Sequence, residues 1–175
     1  MEKIKKNKIS KNWVNKQRRD IYVRKSKIEG YRSRAIYKLK EIDNKFKIIK
    51  NGIKIVDLGS APGSWSQYLS EKSKNSKIMS IDLKEVDRIK NVNHLIGDFL
   101  DEQNQLKINN FFSDKLDLVV SDMAVNTTGN KNLDAISTGE LTINAMIYSV
   151  KILKKNGCFV SKIFMGSTFN EIVEN

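Results

Sequence analysis

This chain predicts an α/β fold, a parallel sheet with helices on both faces, from three observations. After residue 51, short apolar runs rich in β-branched residues alternate with stretches of helical spacing. The run at 53–58 breaks into Gly59-Ser60-Ala61-Pro62-Gly63, and a helical pattern follows at once. Acidic residues recur where such runs end. A strand that turns through a glycine loop into a helix exposes backbone N–H groups beside a crevice. That is the usual mouth of a nucleotide or cofactor site in an open sheet.

Taken in order, residues 1–9 predict a disordered basic tail. Ser10 is placed to cap a helix carrying Trp13, Val14, Ile21 and Val23 that ends near Gly30. Ser33 is placed to cap a second helix, with Ala35, Ile36, Leu39 and Ile42 at helical spacing. Asn51-Gly52 marks a turn. Strands are predicted near 53–58, 77–81, 93–97, 116–121 and 158–164, and helices over 64–73, 103–111 and 134–155. Gly157 sits where a glycine would stop the last of these helices. Strands separated by helices imply right-handed crossovers and parallel pairing. A further helical pattern starts at Ser167, with Phe169, Ile172 and Val173. The strand before it is then an uncovered apolar edge, which predicts that C-terminal strands of the fold are missing. Two parts are expected: a basic helical extension at 1–50, and the sheet domain at 51–175.

Charge sharpens this division. The net charge is +12 over 175 residues. Residues 1–50 carry 18 Lys and Arg against 5 Asp and Glu; the remainder carries 14 against 15. A basic segment so concentrated predicts a polyanionic partner, nucleic acid. One cysteine, Cys158, and one histidine, His94, exclude an internal disulfide and argue against a metal centre built on cysteine or histidine clusters. No apolar stretch is long enough to span a bilayer, and no secretory pattern follows the first Met, so a cytoplasmic, metal-free protein, a monomer by default, is expected.

Ligands of open α/β sheets bind outside the carboxyl ends of the strands. Here those ends carry Asp57, Asp82, Asp98 and Asp122, and the fifth strand carries Lys162. A single acid in a turn is ordinary. Four in succession predict one shared site. Asp82 follows Gly59 by 23 residues, a spacing that suits a carboxylate receiving the two hydroxyls of a ribose. Ala61 stands where a dinucleotide loop needs its second glycine, and no Gly-Lys-Ser/Thr follows, so NAD and a phosphate-cradling P-loop are disfavoured. An acidic crevice suits a cation, and S-adenosylmethionine, with its sulfonium and amino group, fits.

Four motifs together resemble one family. Arg-Ser-Arg-Ala-Ile-Tyr-Lys-Leu (32–39), Val-Asp-Leu-Gly-Ser-Ala-Pro-Gly-Ser-Trp-Ser-Gln (56–67), Ser-Asp-Met-Ala (121–124) and Val-Ser-Lys-Ile-Phe (160–164) are similar to the FtsJ/RrmJ group in order and spacing. The resemblance runs from about Trp13 to Asn175. It implies a Rossmann-like, S-adenosylmethionine-dependent methyltransferase fold and 2′-O-methylation of a ribose, that of a uridine in 23S ribosomal RNA of the large subunit. By resemblance, Gly63, Trp65, Asp82 and Asp98 contact the cofactor, with Asp98 near the adenine and Asp82 near the ribose. Asp122 lies between cofactor and reacting centre. Lys38, Asp122 and Lys162 match three members of the family's Lys-Asp-Lys-Glu catalytic set, and Lys162 is the proton acceptor.

The chemistry asked of these residues can be stated apart from the family. Methyl transfer to a 2′-hydroxyl is an in-line displacement in which the oxygen loses its proton as the new bond forms. A lysine accepts that proton only when neutral, so its pKa must fall from about 10.4. Burial on an apolar strand and a second ammonium nearby both act in that direction. The resemblance also has gaps. The family's glutamate is not carried onto Glu171 or Glu174, Val125 stands where the family usually has proline, and Ser64 replaces a common second glycine. The alternative is a catalytically silent, truncated RNA- or cofactor-binding remnant; a transfer-RNA or mRNA-cap substrate is a third reading. Trp13 is expected to anchor packing, and Cys158 to be a small buried hydrophobe.

Overall fold

Val56, Asp57 and Leu58 are buried on both sides of their strand, and that places β1 (Lys54–Leu58) at the centre of the sheet. A parallel strand covered on both faces reads as a continuous apolar run rather than as an alternation. In the computed structural model, residues 20–125 and 128–163 are described, together with Phe169 and Ile172. Around β1 lie β2 (Lys77–Asp82), β3 (Val92–Ile96), β4 (Leu116–Ser121) and β5 (Leu153–Ser161). All neighbouring strands pair in parallel, in the order β3-β2-β1-β4-β5. The chain leaves β1 toward β2 and β3, then returns past it to β4. The crevice between the ends of β1 and β4 is therefore the topological switch point.

Helices cover both faces. On one, α1 (Ile21–Ile28) leads into α2 (Ile36–Phe46), and α3 (Ser64–Lys72) packs beside α2. Ile36, Leu39, Tyr68 and Leu69 meet Ile55, Ile78 and Leu118 there. Helix α2 thus shares a core with the sheet it precedes. On the other face, α4 (Glu102–Phe112) and α5 (Lys131–Ile152) bring Ile108, Phe112, Tyr148 and Ile152 against Val56, Met79 and Val119. Leu39 and Leu69 are fully buried, each contributing about 2–3 kcal/mol in transfer terms.

Strand and helix positions agree with the sequence within a few residues, with three differences. Helix α1 is described from Ile21 and capped by Asp20, whose carboxylate accepts from the N–H groups of Tyr22 and Val23; Ser10 and Trp13 lie outside the described residues, as does most of the pattern after Ser167. Ser33 does not cap α2 directly. The helix begins at Ile36, and the Ser33 hydroxyl accepts from the Ala35 N–H at 3.3 Å. Gly157 does not stop a helix. Helix α5 ends at Ile152, and β5 starts at once, because Leu153 is already extended and pairs with Leu116. Pairing then skips to Leu118 with Cys158, so Gly157 lies in a bulge that includes Asn156 at φ 66°.

Candidate active site at the carboxyl edge of the sheet

Close backbone packing builds the floor of this site. Gly59 leaves β1 at φ 74°, and its N–H donates to the Ile81 carbonyl at 2.9 Å. A Cβ on Gly59 would stand 2.8 Å from Met123 Cα, because the segment after β4 crosses directly over it. Gly63 adopts φ 102°, and a Cβ there would stand 2.8 Å from Val86 and 2.9 Å from the Arg32 guanidinium. Both positions need glycine for conformation and for space.

The acids cluster around this loop. The Asp82 carboxylate accepts from the Ala61 N–H at 2.8 Å and from the Lys84 N–H at 2.9 Å, joining the turns after β1 and β2. Asp98 is exposed on the rim and accepts from the Leu100 N–H at 2.9 Å. The Asp122 N–H donates to the Leu58 carbonyl at 3.2 Å, and its carboxylate is ion-paired with Lys162. Lys162 lies one residue beyond β5, its own N–H donating to Ser121 at 2.9 Å. Their side chains remain 18% and 20% exposed, so the pair is accessible from one side.

Asp57, one of the four strand-end acids, was given no role of its own from the sequence. It is completely buried, and the Ser66 hydroxyl donates to one carboxylate oxygen at 2.6 Å. The other oxygen has no hydrogen-bond partner among the described residues. Burial, opposed by the Ser66 hydrogen bond and reinforced by the negative charge of Asp122 and Asp82, raises its pKa to about 7. The signal was available in the sequence: Asp57 stands two residues before the glycine loop, where its side chain has no turn to cap. Arg32 entered the sequence reading only through the motif at 32–39 and the basic charge of residues 1–50. Its guanidinium donates to the Pro62 carbonyl at 3.1 Å, to Asp87 at 2.8 Å and to Arg88 at 3.2 Å, clasping two loops of the crevice.

Lys38 stands exposed in the first turn of α2 and lines the same cleft, of about 770 Å³, as Asp122 and Lys162. The structure therefore brings together Lys38, Asp122 and Lys162, which are far apart in sequence. Gly63 and Asp82 lie at the glycine loop, where a smaller hollow lined by Gly59, Ser60, Ala61 and Pro62 reaches Asp122. Asp98 stays on the outer rim. The Trp65 side chain is 3% exposed, its indole N–H donates to Ala35 at 2.9 Å, and it lines both that hollow and a recess beside Lys38 and Lys162.

Asp57 is thus a buried acid beneath the site, its pKa raised first by burial and further by Asp122 and Asp82. The acids that a ligand can reach are Asp82, Asp98 and Asp122, a set that suits a ligand that is cationic and carries hydroxyls. Among the described residues no group of three or more His, Cys, Asp or Glu side chains is arranged to hold a metal ion, and no helix is long and apolar enough to cross a membrane.

The chain is similar to known proteins. Residues 31–175 match FtsJ-like methyltransferase, a family description that covers most of the chain. The ribosomal RNA large subunit methyltransferase E of Pelagibacter ubique (strain HTCC1062) is 61% identical over 170 residues, 97% of this chain and 84% of that protein. Its counterpart in Rickettsia akari (strain Hartford) is 47% identical over 170 residues, 94% of this chain and 75% of that one. A crystal structure from Plasmodium falciparum, described as that of a ribosomal RNA methyltransferase, superposes with a TM-score of 0.75 at 35% identity, over 81% of this chain and 83% of its own.

Proposed function

The chain belongs to the FtsJ-like methyltransferase family, and from that premise we propose that it methylates the 2′-oxygen of a ribose in ribosomal RNA, that of a uridine in the 23S RNA of the large subunit. The donor is S-adenosylmethionine, which supplies an electrophilic methyl on a sulfonium. Asp82 receives the ribose hydroxyls of the donor, and Asp98 lies toward its adenine. Asp122 lies between the donor and the reacting centre and faces the donor's positive charge, and the main chain of the loop at 59–63 closes around it.

The observation that carries this reading is the Lys162–Asp122 pair at the ends of β5 and β4, facing Lys38 across one cleft. As the methyl passes from sulfur to the 2′-oxygen, the proton that this oxygen loses would go to Lys162 Nζ, an amine that must first have released its own proton. Asp122 holds Lys162 in place through its carboxylate and its carbonyl, the latter 3.4 Å from Nζ. Basic residues of the segment 1–50 hold phosphates of the strand, and the protein works in the cytoplasm as a monomer.

The test uses the full chain, labelled donor and large ribosomal subunits from cells lacking the modification. A 2′-O-methyl blocks alkaline cleavage at its own nucleotide, so the label should survive in an alkali-resistant dinucleotide. Lys162→Ala should lower transfer by about a hundredfold or more while binding of donor and subunit persists. Label in an alkali-labile nucleotide, or none at all with donor bound, overturns the reading.

A further inference from the structure

We propose that Tyr22 is a stacking platform for a base of the RNA strand that enters the cleft, a site that rests on the RNA reading above. Tyr22 lies in the first turn of α1 and lines the cleft that Asp122 and Lys162 also line. Its backbone is fixed, since its N–H donates to the Asp20 carboxylate at 2.9 Å and Asp20 is itself ion-paired with Arg34. Its ring rests against Tyr37, with centroids 5.3 Å apart and planes tilted by 44°. Tyr37 is part of the core, only 7% exposed. Tyr22 is 51% exposed, so a ring supported from behind presents the rest of its surface outward.

What it faces decides the ligand. Tyr22, Lys38, Asp122 and Lys162 line one cleft. Its volume, about 770 Å³, exceeds what the reacting ribose alone requires and is in the range that holds a compact organic ligand. Lys27 and Arg34 line the same cleft, as does Glu41, and Arg34 is held by Asp20, which leaves Lys27 as the cation nearer to free. Cations that follow a phosphate chain, beside an aromatic ring that accepts any base, are the recurring means of holding a single strand. A tyrosine ring has few rotors to freeze, so it offers contact area at low entropic cost. The geometry suits a base attached to, or next to, the ribose presented to Lys162. The competing role is a simple cover over Tyr37, for which any apolar side chain of similar bulk would serve.

Four variants separate these roles: Tyr22→Phe, Tyr22→Trp, Tyr22→Leu and Tyr22→Ala, each checked for an unchanged melting temperature and unchanged binding of S-adenosylmethionine by calorimetry. Methyl transfer to undermethylated large subunits is then measured at several salt concentrations. A platform keeps KM near the wild-type value in the Phe and Trp variants and raises it roughly tenfold in both Leu and Ala, from the stacking contribution of one base. The salt dependence stays the same in all four, whereas Lys27→Ala lowers its slope by about one. A wild-type KM in the Leu or Ala variant overturns the platform. Turnover by the unmodified chain tests the parent reading separately, so the two fail in distinguishable ways.

Discussion

The indole N–H of Trp65 donates to the carbonyl of Ala35 at 2.9 Å, joining the first turn of α3 to the segment that opens α2. This bond sits inside an otherwise apolar contact. Replacing Trp65 by Phe should leave most of the packing and remove the donor, costing about 1 kcal/mol. Trp65→Ala adds a cavity and should cost about 3–5 kcal/mol. Chemical denaturation of the two variants checks the order: a Phe variant as unstable as the Ala variant would mean that the hydrogen bond, rather than the ring, dominates.

Gly59 is expected to tolerate no side chain. In Gly59→Ala the left-handed conformation and the contact with Met123 act together, and the loop must open. We expect a loss of about 1–3 kcal/mol from the backbone conformation and donor affinity reduced at least tenfold. Calorimetric titration with S-adenosylmethionine reads the second effect directly.

The buried acid makes stability depend on pH. Asp57 ionises near pH 7 when folded and near 3.9 when unfolded. Between those values the folded chain holds the extra proton, so stability falls as pH rises from about 4 to about 7. Below that window nothing is lost; above it the full penalty applies, a few kcal/mol at one pKa unit per 1.36 kcal/mol. Asp57→Asn should flatten this slope, and its melting temperature relative to wild type should improve from pH 5 to pH 8. An identical pH profile in the two proteins would show that other groups set it.

Arg32 separates loop-clasping from phosphate-gripping. Its three carbonyl contacts occupy the fork of the guanidinium, and an ammonium cannot reproduce them. Arg32→Lys should therefore weaken donor binding severalfold. The salt slope of RNA binding should stay within experimental error of wild type, because no phosphate contact is lost. A slope lower by about one, with donor binding intact, would assign Arg32 to the RNA.

Much of this molecule was legible in its residues. The runs at 53–58 and 116–121 are apolar because both strands are covered on two faces, and their period leaves little choice. Asp82 and Asp122 were visible because an acid at the end of an apolar strand has no packing role. Gly157 misled, since a glycine after a helical pattern reads as a stop, and only pairing with β4 reveals a bulge. Asp57 and Arg32 were underrated for another reason. What matters in each is a partner 9 to 56 residues away, and no local period encodes that. The proximity of Lys38 to Lys162 is a property of the tertiary fold, reached from the sequence only through a family resemblance.

Three seams hold residues 32–35 to the turn after β1: the Arg32 clasp on Pro62, the Ser33 and Ser64 hydroxyls 2.7 Å apart, and the Ala35 bond to Trp65. One border of the cleft proposed for RNA and one border of the hollow proposed for the donor are thus a single piece of backbone. Whatever stiffens the pocket also stiffens the groove, and linkage makes the favour mutual. Filling either compartment should tighten the hold on the contents of the other, so that methyl donor and ribosomal particle arrive as cooperative guests.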